Sequence, residues 1–150
     1  MEQTINSKKS RRDNHVKMTY MRQSLIASIQ ELSDREYQKR EWLSDSNGYK
    51  FYYSLYMVLA FLFNDFSLDE NIEVQIGNII RNKEEAEVIS KVIIALDRII
   101  DEVGEKQPDA AYWESELWRD VVYKAKVAYE YIKMQGLDKR RIERIERLSK

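Results

Sequence analysis

From Tyr49 to Phe63 the chain reads YKFYYSLYMVLAFLF, and thirteen of these fifteen positions are apolar or aromatic; only Lys50 and Ser54 break the run. No other window is as apolar. At ~1.5 Å per residue a helix over this stretch would reach ~22 Å, short of the ~30 Å hydrocarbon core of a bilayer. The stretch is therefore expected as a buried central helix and not as a membrane span. Phe51, Leu55, Val58, Leu59 and Leu62 make one stripe, and Tyr52, Tyr56 and Phe63 a second. A helix apolar on most sides needs neighbours on most sides.

The flanking segments supply them. Met18, Met21, Leu25, Ile29 and Leu32 recur at helical spacing, which predicts a first helix over about 16–32. Ser33-x-x-Glu36 has the form of a capping box, and Ser44 to Gly48 is a loop by composition. After Asn64-Asp65-Phe66, the pattern Ser67-x-x-Glu70 predicts a short helix through Ile72, Ile76 and Ile80, with Gly77 inside it. Asn82 and Glu85 cap the best-marked helix, whose apolar face is Ala86, Ile89, Val92, Ile93, Leu96, Ile99, Ile100 and Val103. Gly104 stops it and Pro108 follows. Asp109 is expected to cap the next helix, with inner face Trp118, Val121, Val122, Ala125, Tyr129 and Ile132, ended by Gly136. In the last segment Ile142, Ile145 and Leu148 either dock on the body or leave a fraying tail. Alternation of period two is never sustained, so no strand is expected.

The expected fold is all-α: a single-domain bundle of five or six helices around the buried central helix at about 49–63. Residues 1–13 are expected as a disordered basic arm, 14–136 as the helical domain, and 137–150 as a basic C-terminal helix or tail. One proline and four glycines in 150 residues agree with long helices. The absence of cysteine excludes disulfides, thiolate metal sites and thiol catalysis. The opening residues lack the apolar stretch of a signal peptide, so a cytoplasmic location is expected.

Charge changes the picture more than composition. Net charge is −1, but residues 1–40 carry 9 basic and 5 acidic groups, 41–120 carry 7 and 17, and 121–150 carry 9 and 4. Glu84-Glu85-x-Glu87 invites a metal reading, but the lone histidine, His15, lies just past the arm and far from these acids in the chain, and first-turn acids are favoured by the helix dipole. No two glycines fall close enough for a phosphate loop, and serine nucleophiles lack a usable base. No catalytic, cofactor or metal-binding residues are therefore expected, and the protein is not expected to be an enzyme. Lys139, Arg140, Arg141, Arg144 and Arg147 could meet phosphates, but Glu143 and Glu146 interleave with them and the body is acidic. Nucleic acid is thus disfavoured as a partner.

An acidic surface without chemistry suits capture of a basic protein. The acids form two groups: Asp65, Asp69, Glu70 and Glu73, and then Asp101, Glu102, Glu105, Asp109, Glu114 and Glu116 around the Gly104–Pro108 loop. Tyr112 and Trp113 lie within the second group as candidate anchors. These twelve residues are the candidate partner-binding surface. The order Trp42, Phe63-Asn64-Asp65, Ile76-Gly77, Glu85-Ala86 and Trp118-x-x-Val121-Val122-x-x-Ala125 resembles a family of small helical bacterial proteins over roughly 18–135. Some of that family are immunity proteins encoded beside secreted or contact-delivered toxins, as in contact-dependent growth inhibition. The resemblance implies no catalytic residue. It implies an immunity protein that neutralises a cognate toxin domain, such as a basic nuclease, by covering its active site or substrate groove. The alternative reading is a nucleic-acid-binding or regulatory helical protein that uses its basic termini. Nothing in the pattern sets an oligomeric state.

Overall fold

Leu25, Ile26, Ile29 and Leu32 fall three and four residues apart, and their burial fixes α1, Thr19–Ser33. A computed structural model of the chain describes residues 16–43, 54–136 and 138–149. Helix α2, Arg35–Trp42, follows with almost no linker. Its cap is Asp34, which accepts from the Tyr37 N–H at 2.9 Å, one residue later than the capping box expected at Ser33. Ser33 instead donates to the Gln30 carbonyl. Next come α3, Ser54–Leu59, and a π-helical turn, Ala60–Asp65. Beyond them lie a 3-10 turn, Ile72–Gln75, then α4, Lys83–Val103, and α5, Asp109–Trp113. Last are α6, Trp118–Met134, and α7, Lys139–Ser149. The chain is all-α and forms one domain, with seven α-helices and no strand among the described residues.

Helix α6 is the centre. It lies between α1 and α4 and packs against both. Trp118, Val121, Ala125, Ala128 and Ile132 on it are completely buried. The two alanines let neighbouring backbones approach closely. The stretch expected at the centre is placed differently. Residues 49–53 lie outside the described residues. From Ser54 on, Leu55, Val58 and Leu62 reach the core while Tyr56 and Met57 face solvent. The described part of the run, 54–63, therefore has a buried stripe and an open face.

Asn82 caps α4 through its bond from the Glu85 N–H, and Gly104 ends it with φ of 105°, both as the sequence predicts. Gly77 is not helical: it sits in a turn at φ 92°, and open space surrounds it where a side chain would be. Its role is backbone conformation and not close helix approach. Ile142 and Ile145 dock α7 onto the core beside α1. Among the described residues, no helix is long and apolar enough to cross a membrane.

Candidate functional site

The open face of the 54–65 segment looks across a cleft to the end of α4. Tyr56, Leu59, Ala60, Phe63 and Asn64 form one wall. Ile100, Glu105 and Lys106 form the other, and Tyr112 closes the floor; the volume is about 350 Å³. Both walls carry backbone that ordinary helices and turns avoid. One is built on the π-helical turn, a rare feature often found at functional positions. On the other, Lys106 holds φ of 57°, a left-handed conformation that costs a non-glycine residue on the order of 1 kcal/mol. Ser67, just past the π turn, is also left-handed at φ 51°.

Two buried residues frame the cleft. Asp109 accepts from the Ser54 N–H at 2.8 Å and the Leu55 N–H at 2.9 Å, so it caps α3 from across the fold. Its expected role as cap of its own helix is corrected by this geometry. Burial pushes its carboxyl upward in pKa, against the lowering effect of those two N–H bonds. Tyr112 donates its hydroxyl to the Gly104 carbonyl at 2.6 Å and accepts from the Gln107 N–H, which clamps the loop. Both side chains are almost fully buried, so neither belongs to a partner-facing surface as the sequence suggested. Trp113 points elsewhere: the Arg35 guanidinium lies 3.8 Å over its ring, and an Arg35 N–H donates to its carbonyl. It braces α2 and is not an exposed anchor.

The remaining acids stay on the surface. Asp101 and Glu102 lie on the last turn of α4 and Glu105 on the cleft's lip; Asp65 adjoins Asn64 on the opposite lip. Asp69, Glu70 and Glu73 follow in the chain around the 3-10 turn, and Glu114 and Glu116 lie in the turn between α5 and α6. All nine are exposed, and none pairs with a lysine or arginine among the described residues. Asp101 and Glu102 also sit at the negative end of the α4 dipole, whose last turn holds no basic residue. This placement is locally unfavourable, and folding alone gives no reason for it.

A second charged constellation is wholly internal. Arg22 is completely buried on α1 and forms a two-pronged bond to Glu85, at 2.6 and 2.8 Å. It also donates to Asp138, at 2.7 Å, and to the Ile79 carbonyl. Arg81 adds a bond to Asp138 at 2.8 Å, and its backbone N–H donates to Glu85. Two arginines and two carboxylates thus cancel in charge. Burial alone would raise the Asp138 carboxyl, but its bonds and charge interactions with Arg22 and Arg81 outweigh this and hold it below its ordinary value. Burial opposes the Arg22 charge, yet Glu85 and Asp138 shift its pKa upward. Glu85 is therefore a buried ion partner, whereas Glu84 and Glu87 are exposed. Among the described residues no three acids or histidines are grouped to hold a metal ion. Sequence reasoning missed the cluster, although Arg22 sits three residues before Leu25 on the apolar face of α1.

Comparison with known proteins adds a family. A family model described as a domain of unknown function, DUF7945, matches residues 16–140. The chain belongs to the DUF7945 family. No curated protein and no solved structure matches it. The DUF7945 match spans α1 through the first two residues of α7. It therefore contains the buried ion cluster and both walls of the cleft, and it stops before Arg141 and Arg144.

Proposed function

We propose that this protein works by contact and not by chemistry, as an immunity protein that holds a basic toxin domain against the acid-lipped cleft. The observation that carries the reading is the cleft itself, walled by apolar and aromatic side chains, with Glu105 on one lip and Asp65 beside Asn64 on the other, neither paired with a lysine or arginine among the described residues. The acids would steer a basic partner and set its orientation. Tyr56, Leu59 and Phe63 would supply the apolar contact at the centre, where binding energy concentrates. A nuclease surface that attracts phosphate has the complementary charge. Covering it would block substrate entry without any reaction. The sequence resemblance to immunity proteins supports the biological role, and the cleft supports the binding mode.

The test first asks whether a toxin-like domain is encoded beside this gene and, where one is, uses it as the partner. Triple reversal, Asp101→Lys, Glu102→Lys and Glu105→Lys, should leave helicity intact and weaken binding at least about tenfold, chiefly by slower association at low salt. Unchanged affinity would remove these acids from the interface. Absence of any encoded toxin-like neighbour, with no basic domain bound, would count against the immunity role.

A further inference from the structure

The outward face of α1 is unlike those of the other long helices. Helix α4 turns Glu84, Glu87, Lys91, Asp97 and Arg98 to solvent. Between Thr19 and Gln30, α1 has no charged residue except the buried Arg22. Its outer positions are Thr19, Tyr20, Gln23, Ser24, Ala27 and Ser28. In a chain that is 34% charged, an uncharged helix face calls for a cause.

Opposite that face lies α7. Its sequence interleaves arginine and glutamate, and the helix separates them in part: the exposed Glu143, three residues after Arg140, borders the arginine stripe, whereas Glu146 does not. Arg140, Arg144 and Arg147 fall at i, i+4 and i+7 and share one stripe, while Ile142 and Ile145 turn inward. Glu146 is on another side, accepting from the Tyr129 hydroxyl and pairing with Lys133. Arg140 and Arg144 line a groove of about 360 Å³ with Thr19, Tyr20 and Gln23. Neither has an acidic partner among the described residues. The groove shares Tyr20, Gln23 and Arg144 with a larger hollow of about 700 Å³ floored by Met21, Ala27 and Ile145. Tyr20 is 82% exposed between them.

We propose that the groove between α1 and α7 binds single-stranded RNA. Arg140 and Arg144 stand one helical turn apart, ~5.4 Å along the axis, which suits successive phosphates of an extended strand. The exposed Tyr20 ring offers a stacking face for a base, and stacked aromatics beside a cationic track are how proteins hold single strands. Thr19, Gln23 and Ser24 give neutral hydrogen-bonding groups for base edges and the 2′-hydroxyl. A duplex would present no free base face to Tyr20. Charges beyond a Debye length, about 8 Å at physiological salt, are screened, so the acids that count against binding are the local ones, Glu143 on α7 and Glu31 in the adjoining hollow. The surface shares no residue with the acid-lipped cleft.

The test is fluorescence anisotropy of the full chain with labelled oligouridine, at low and at physiological salt. Binding should weaken steeply with salt. Arg140→Glu with Arg144→Glu should weaken it on the order of a hundredfold, and Tyr20→Ala on the order of tenfold, with unchanged circular dichroism. The Asp101, Glu102 and Glu105 reversal should leave it undiminished, which separates this surface from the cleft. No binding at low salt would overturn the proposal. So would arginine-reversed protein that binds as well as native, oligothymidine that binds as tightly as oligouridine, or displacement by polyglutamate at equal charge.

Discussion

Arg22 decides more about this fold than any apolar residue of its size. It reaches Glu85 at the start of α4 and Asp138 just before α7, and so ties both chain ends to the middle. Removing it strips the buried Glu85 of its guanidinium and leaves Asp138 to Arg81 and Arg141. Arg22→Ala should cost about 3–5 kcal/mol in a urea titration, and a conservative Arg22→Lys should recover only part of it, because an ammonium lacks the planar fork. The pH dependence separates the carboxylates. Asp138 is held below its ordinary value of 3.8, so its contribution is full above that pH and is lost as pH falls through the lower folded value. The stability difference between native and Asp138→Asn should therefore shrink below pH 3.8. Glu31 behaves oppositely. Burial raises its carboxyl above 4.5, partly countered by the Trp42 indole N–H at 2.8 Å, while nearby Asp109 raises it further. Its contribution is full below 4.5 and is lost as pH rises through the folded value, so Glu31→Gln should flatten that limb. In the sequence, the position of Arg22 three residues before Leu25 is the mark its role leaves, and it went unread. Asp138 leaves no such mark, because its role depends on partners 116 and 57 residues away.

At the scale of elements, periodicity located α1, α4 and α6, and local chemistry located their caps at Asn82, Gly104 and Gly136. What it could not rank was centrality. The 49–63 run is richest in apolar atoms, yet α6 occupies the middle because small Ala125 and Ala128 admit α1 and α4 from both sides. Aromatic residues in the 54–65 segment serve two surfaces, core and cleft, and composition does not distinguish them. The π-helical turn and the left-handed Lys106 left no recognisable mark in the sequence, since neither uses glycine or proline. Asp109→Ala should cost about 2 kcal/mol by stranding two N–H groups at the start of α3, with faster amide exchange concentrated in 54–65. Lys106→Asn, which accepts the left-handed conformation more readily, should raise stability by roughly 0.5 kcal/mol. Asp101→Lys with Glu102→Lys should also stabilise, by about 1 kcal/mol, because cations suit a helix C-terminus. Gain of stability with loss of partner binding would mark those acids as functional.

Over the whole molecule, the uneven charge of the sequence becomes spatial. Glu105 and, beside Asn64, Asp65 stand at an apolar cleft, whereas Arg140 and Arg144 of α7 border the uncharged face of α1. The net charge of −1 conceals both surfaces. The split was visible in the charge counts along the chain. The facing of the 54–65 segment and the 100–106 loop across one cleft, and the burial of Asp109 and Tyr112 beneath the surface, required the fold. The most direct measurement is hydrogen–deuterium exchange of the protein alone and bound to its basic protein partner. Slowed exchange confined to residues 56–66 and 100–106, reversed by added salt, is the predicted result. Protection that instead falls on α1 and α7, with the cleft segments unchanged, would contradict the account.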